Sequence, residues 1–196
     1  MIVEDGRNAF YAGSRAAWRQ WLIDNHNSEH SVWLIIYHKK SPTPGVKYEE
    51  AVEEAICFGW IDSKPNKRDD ESYYLFFAKR KAKSNWSKAN RDRATKMQKK
   101  GLMAAGGQSM IDLAKETGTW EALKEVQNSV IPEDLRKSLD ERPVALKNFR
   151  SFPPSSKRII LEWILNAKKP ETRQKRIKET VSLAEKNIRA NHYRRG

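Results

Sequence analysis

The sequence predicts an α+β fold, mostly helical, in which a small N-terminal sheet with its helices is followed by an all-helical C-terminal region. Three observations carry that expectation. Two short runs rich in β-branched and aromatic residues, Val32–Tyr37 and Tyr73–Phe77, lie in the first half and read as strands. Apolar residues at helical spacing flank them. From Ile131 onward only helical periodicity remains, punctuated by Pro132, Pro143, Pro153, Pro154 and Pro170, which suit the first turns of helices.

The elements follow in order. Ser14 caps a helix running to about Asn27, with Ala17, Trp18, Trp21 and Leu22 on its buried face. Val32–Tyr37 is continuously apolar, as in a strand covered on both faces. Ser41-Pro-Thr-Pro-Gly45 breaks regular structure. Tyr48, Ala51, Val52, Ala55 and Ile56 then form a helical stripe, with Gly59 placed to end the helix and Trp60 to pack back on it. Residues 64–72 are polar and turn-like. Ser87 caps a basic helix reaching Lys100, closed by Gly101; Gly106-Gly107 precedes a short helix that Gly118 ends, and Thr119 begins another. In the C-terminal region, Ile159, Ile160, Trp163, Ile164 and Ala167 make one apolar face, and Ile177, Val181, Ala184 and Ile188 another. The expected organisation is an α+β region over 1–128 that holds a cleft, a helical region over 129–190, and a tail at 191–196 that frays.

Composition narrows the class. Hydrophobic residues make up 38% of 196, lean but sufficient for a core. The longest apolar run, Val32–Tyr37, is far shorter than the roughly 18 to 20 residues a membrane-spanning helix needs, so no membrane span is expected. The start carries Glu4 and Asp5 where a signal peptide has basic residues. With Cys57 as the single cysteine, no intrachain disulfide can form, and a reducing cytoplasm is the expected compartment.

The net charge of +13 is unevenly spread. Residues 73–104 hold ten Lys and Arg against one acid, and residues 141–196 fifteen against five. Two basic blocks of this kind attract anionic polymers, nucleic acid first. They are equally compatible with plain solvated helices.

Metal and cofactor sites are not expected. His26, His30, His38 and His192 lack ligand spacing with cysteines or acids, and Gly101–Gly107 lacks the lysine and serine or threonine of a phosphate-binding loop. Cys57 reads as a core side chain, and Glu49, Glu50, Glu53 and Glu54 as the solvated face of their helix. Asp62 stands apart: behind the Gly-Trp-Ile turn it could cap, pair with Arg80, or act as a base. Trp86 sits among basic residues and could stack a base or anchor the core. Arg93, Lys96 and Lys100 share one helix face, and Arg173 and Arg176 lie three apart on another, placed either to grip a phosphate or carboxylate or to pair with neighbouring acids.

Phe58-Gly-Trp-Ile-Asp62, Trp86-Ser-Lys-Ala-Asn90, Ile131-Pro-Glu-Asp-Leu135 and Ala167–Ile177 resemble the signature segments of the bacterial YdeI/OmpD-associated, or bacteriocin-protection, proteins. The stretch from about Ile131 to Ile188 is similar to their OmdA-type domain. After Phe77 the sequence departs from the family pattern, with Ala78, Lys79 and Arg80 where threonine, proline and arginine are frequent. The resemblance implies a link to protection against bacteriocins or cationic antimicrobial peptides and no particular reaction. A chain of charge +13 repels cationic peptides, so protection would be indirect.

Two functions follow. One is binding of an anionic ligand such as nucleic acid through Arg93, Lys96, Lys100, Arg173 and Arg176. The other is an enzyme or small-molecule binder with a cleft built from Trp60, Asp62, Arg80, Trp86, Lys88 and Asn90.

Overall fold

The computed structural model describes residues 2–4 and 6–192. The chain divides into two compact units, Met1–Glu121 and Ala122–Gly196.

The first unit runs β1 (Ile2–Glu4), β2 (Arg7–Tyr11), α1 (Arg15–Asn25), β3 (Ser31–Tyr37), α2 (Tyr48–Cys57), β4 (Trp60–Lys67), β5 (Ser72–Lys79), α3 (Lys88–Lys99) and α4 (Ala105–Glu116). The α+β class is as the sequence predicts. The five strands order as β1-β2-β3-β5-β4. Only β2 and β3 are parallel, and α1 supplies the crossover that such a pair requires; the other pairs are antiparallel.

The expected strands correspond to β3 and β5, while β1, β2 and most of β4 carry no comparable signal. β4 continues through Lys67, where the sequence suggested a turn. It is an edge strand whose residues from Ser63 onward are exposed, so no inward-outward alternation marks it. Pro65 is accommodated there beside a register shift between Asp62 and Pro65, as expected of an edge position.

One sheet face carries the core. Val32, Leu34, Ile36, Leu75 and Phe77 pack beneath Trp18, Leu22, Val52, Ile56, Trp60, Trp86 and Met97, all buried. Trp18 and Trp21 stack at 5.2 Å, and Trp60 meets Trp21 edge-on at 5.8 Å. The opposite face has a smaller cluster of Ala9, Ile35 and Tyr74, so β3 is buried on both sides.

Local signals set the helix ends. Ser14 Oγ accepts from Ala17 N at 3.2 Å, and Ser87 Oγ from Asn90 N at 3.2 Å. Gly59 ends α2 with φ +77°, and a Cβ there would lie 2.9 Å from the Gly106 carbonyl. The Gly106-Gly107 pair lies inside the first turn of α4 and not ahead of it. The reason is steric: a Cβ on Gly107 would sit 2.2 Å from the Cys57 carbonyl, so α4 approaches the end of α2 only through glycine.

The second unit is helical: α5 (Lys124–Gln127), α6 (Glu133–Asp140), α7 (Pro143–Ser151), α8 (Pro154–Leu165) and α9 (Pro170–Glu185). Thr119 begins no regular helix; turns lead instead to the single turn of α5. Pro143, Pro154 and Pro170 each open a helix, whereas Pro132 is the residue just before one. Leu135, Leu139, Phe149, Ile160, Leu161, Ile164 and Ile177 form the core of this unit. The tail expected to fray at 191–196 falls for residues 193–196 outside the described residues.

Candidate functional site

The first unit opens at the start of α2. There the loop from His38 to Lys47, the end of β3 and the β4–β5 hairpin leave two cavities, of about 690 Å³ and about 500 Å³. His38, Tyr48 and Tyr73 line both, so the two cavities adjoin at these three residues. His38 and Tyr73 lie 5.4 Å apart. Tyr48 is 37% exposed, and its hydroxyl donates to Asp62 Oδ2 at 3.0 Å. Burial, with the Asp62 charge next to it, pushes the Tyr48 phenol up to about 12. Burial alone raises the Tyr73 phenol.

Local structure places these groups. Tyr48 is the first residue of α2, fixed by a loop whose Val46 N donates to the Ala12 carbonyl at 3.0 Å and whose Pro44 carbonyl accepts from the Tyr11 hydroxyl. Tyr73 pairs with Ile36 across β3 and β5. Asp62 pairs with Phe77, next to the register shift in β4. The helical stripe disguised Tyr48 as a core residue; it lies at the open end of that stripe. The clearest sequence hint was an aromatic residue just after the Pro-Thr-Pro-Gly loop. His38 and Tyr73 carried none.

Of the six cleft residues expected from sequence, Asp62 alone lines these cavities. Trp60 and Trp86 are interior, each 1% exposed, and Trp86 packs on Trp120 at 4.9 Å. Arg80 is 5% exposed and lies 3.8 Å over the Trp86 ring. Its Nη1 donates to the Asn85 carbonyl at 3.3 Å; among the described residues its Nε and Nη2 meet no partner. Burial lowers the Arg80 guanidinium to about 10, against an opposing pull from Asp62. Lys88 is exposed and pairs with Asp92 at 3.2 Å. Asn90 Oδ1 accepts from Arg93 at 2.9 Å.

The cations read as anion-binding are largely engaged within the fold. Arg93 donates to Glu49 Oε2 through Nε at 3.0 Å and Nη2 at 2.6 Å. Lys96 donates to Glu53. Lys100 ends α3 and is exposed. In the second unit, Arg173 grips Asp134 at 2.6 and 3.0 Å and also reaches the Ile164 carbonyl at 3.4 Å. Arg176 donates to the Trp163 carbonyl and lies 5.1 Å from that ring. Both arginines of α9 thus meet the carbonyl-rich end of α8, where cations are favourable.

Glu53 and Glu54 depart furthest from the sequence reading. They are 5% and 1% exposed, not a solvated face. Glu54 accepts from Arg15 Nε at 2.5 Å and Arg19 Nη1 at 2.6 Å, and Glu53 from Arg15 Nη1 at 3.0 Å. The basic side chains of α1 and α3 close over these acids. Burial pushes Glu53 up, yet hydrogen bonds from Lys96 and Arg15 outweigh it and hold the carboxyl below its usual range. Burial raises the neighbouring Cys57 thiol to about 11, which keeps it protonated and unreactive near neutral pH. Among the described residues no cluster of three His, Cys, Asp or Glu could hold a metal, and no helix is long and apolar enough to cross a membrane.

Two family models match the chain. Residues 10–110, more than half of it, match a domain of unknown function (DUF8412), and residues 128–187 match the family described as bacteriocin-protection, YdeI or OmpD-associated. The chain belongs to the DUF8412 family, and its C-terminal part carries an OmdA-type, YdeI/OmpD-associated domain. Searches of curated proteins and of solved structures each returned no match. The Tyr48–Asp62 cleft therefore lies within the DUF8412 match, and the Arg173–Asp134 pair within the OmdA match.

Proposed function

We propose that the first unit is a small-molecule-binding module whose ligand occupies the cleft between His38, Tyr48 and Tyr73. One observation carries this reading: a part-exposed tyrosine, tethered by Asp62 at 3.0 Å, lines two adjoining cavities of a size suited to small ligands. Aromatic walls beside a few fixed polar groups are what such sites are made of. No reaction is assigned.

Nucleic-acid binding has less support. Trp86, the base-stacking surface it relied on, is 1% exposed, and Arg93, Lys96 and Arg173 are each paired with a carboxylate. A cytoplasmic setting belongs to the same proposal, because the lone Cys57 is buried and needs no oxidising compartment. Protection in the sense of the OmdA-type family's name would then run through the cleft's ligand and not through direct capture of cationic peptides, which a +13 chain repels.

A chemically diverse fragment library, read by NMR shifts of the Tyr48 and Tyr73 rings, tests the reading. Binders that shift both rings and lose affinity in Tyr48→Ala support it. If every binder maps elsewhere, or none is found, the reading is abandoned.

A further inference from the structure

Each chamber of the cleft is lined by charges of both signs, and their pairing decides which groups are left to a ligand. The smaller cavity contains Asp62 as its carboxylate, and the Tyr48 proton is already committed to that oxygen. Tyr48 Oη and the remaining Asp62 lone pairs therefore present acceptors only. What satisfies such a surface is a donor, best a charged one. The larger cavity holds Lys39 and Lys47 together with Thr43. Its carboxylate, Glu49, is engaged by Arg93 at 2.6 and 3.0 Å, which leaves the lysines to set the sign of that chamber. Lys67 stands at the edge of the smaller chamber, 78% exposed and paired with Asp70 at 3.1 Å. The residues common to both chambers, His38, Tyr48 and Tyr73, all carry rings, which favour a flat apolar body.

Resting on the cleft reading above, we infer that the ligand is a small aromatic amphoteric molecule. Its ammonium group meets Asp62 and Tyr48 Oη, its aromatic body lies against Tyr48, Tyr73 and His38, and its acid group faces Lys39 and Lys47. Tyr48 is common to the two ends: it lines both chambers and its oxygen belongs to the acceptor side.

Three probes of one skeleton separate the ends: phenylalanine, phenethylamine without the carboxylate, and 3-phenylpropanoate without the amine. Titration of the full chain should give phenylalanine the lowest Kd, by about tenfold or more over either truncated probe. Asp62→Asn should weaken phenylalanine and phenethylamine and leave 3-phenylpropanoate unchanged. Lys47→Gln should do the reverse. Equal affinity for all three probes, no binding of any, or an Asp62→Asn effect on 3-phenylpropanoate as large as on phenethylamine overturns the inference. The broader cleft reading fails separately, only if no library binder of any charge shifts the Tyr48 and Tyr73 rings.

Discussion

Arg80 lies 3.8 Å above the ring of Trp86, 95% removed from solvent, with one of its nitrogens bonded to Asn85. Stacking on the ring offsets part of the desolvation of the charge, and the unbonded Nε and Nη2 leave the rest uncompensated. Arg80→Met keeps most of the apolar contact and removes the charge, so stability should hold or rise by up to about 1 kcal/mol. Arg80→Ala opens a void over Trp86 and should cost about 2 to 3 kcal/mol. Chemical denaturation followed by tryptophan fluorescence measures both, since six of the seven tryptophans precede residue 122. A Met variant less stable than the Ala variant would contradict the account.

Tyr48 should ionise late. Its pKa is about 12 in the fold against about 10 unfolded. The unfolded chain thus loses this proton first as pH rises. The stability associated with Tyr48 is complete below pH 10 and is lost as pH climbs through about 12. Tyrosinate absorbance should show a late component that disappears in Tyr48→Phe and moves to lower pH in Asp62→Asn.

Glu54 is the most deeply buried acid among the described residues of the first unit, held by Arg15 and Arg19. Glu54→Ala leaves Arg15 with Glu53 and Arg19 with the Leu102 carbonyl, and the loss of the buried carboxylate from this network should cost about 2 kcal/mol. Glu53, held below its usual carboxylate range, contributes stability that is full above its unfolded pKa of about 4.3 and is lost as pH falls through the lower folded value. Glu53→Gln should accordingly flatten the acid limb of the stability profile. An unchanged acid limb would remove this role.

Gly107→Ala should destabilise the first unit by about 3 kcal/mol, because the added carbon would sit 2.2 Å from backbone that cannot rotate away. Gly101→Ala meets nothing within 4 Å and should cost only the strain of its positive φ, about 1 kcal/mol. Comparing the two midpoints separates crowding from backbone conformation.

Sequence exposes what neighbouring residues decide and hides what tertiary packing decides. The Ser14 and Ser87 caps and the Gly59 stop are local, and each is where its residue type requires. β2 is invisible because its partner β3 is reached only through α1, and β4 because from Ser63 onward it is an exposed edge that needs no alternation. Asp62 could be singled out, as a carboxylate directly behind a turn. Tyr48 could not, because it continues the apolar stripe of α2, and His38 and Tyr73 meet only when β3 and β5 pair. Glu53 and Glu54 misled for the opposite reason: a run of acids looks solvated until arginines from α1 and a lysine from α3 close over it.

The polar character of β4 also governs what the sheet can become. An edge strand offers unpaired amides and carbonyls to any other strand, and a flat apolar one would invite chains to join. Here the outer strand reads Ser63-Lys-Pro-Asn-Lys67, with a register shift before Pro65. Proline withholds a donor, the shift spoils the spacing, and two like charges repel an identical neighbour. The stretch least legible as structure is thus a built-in barrier against fibre growth on that side of the sheet.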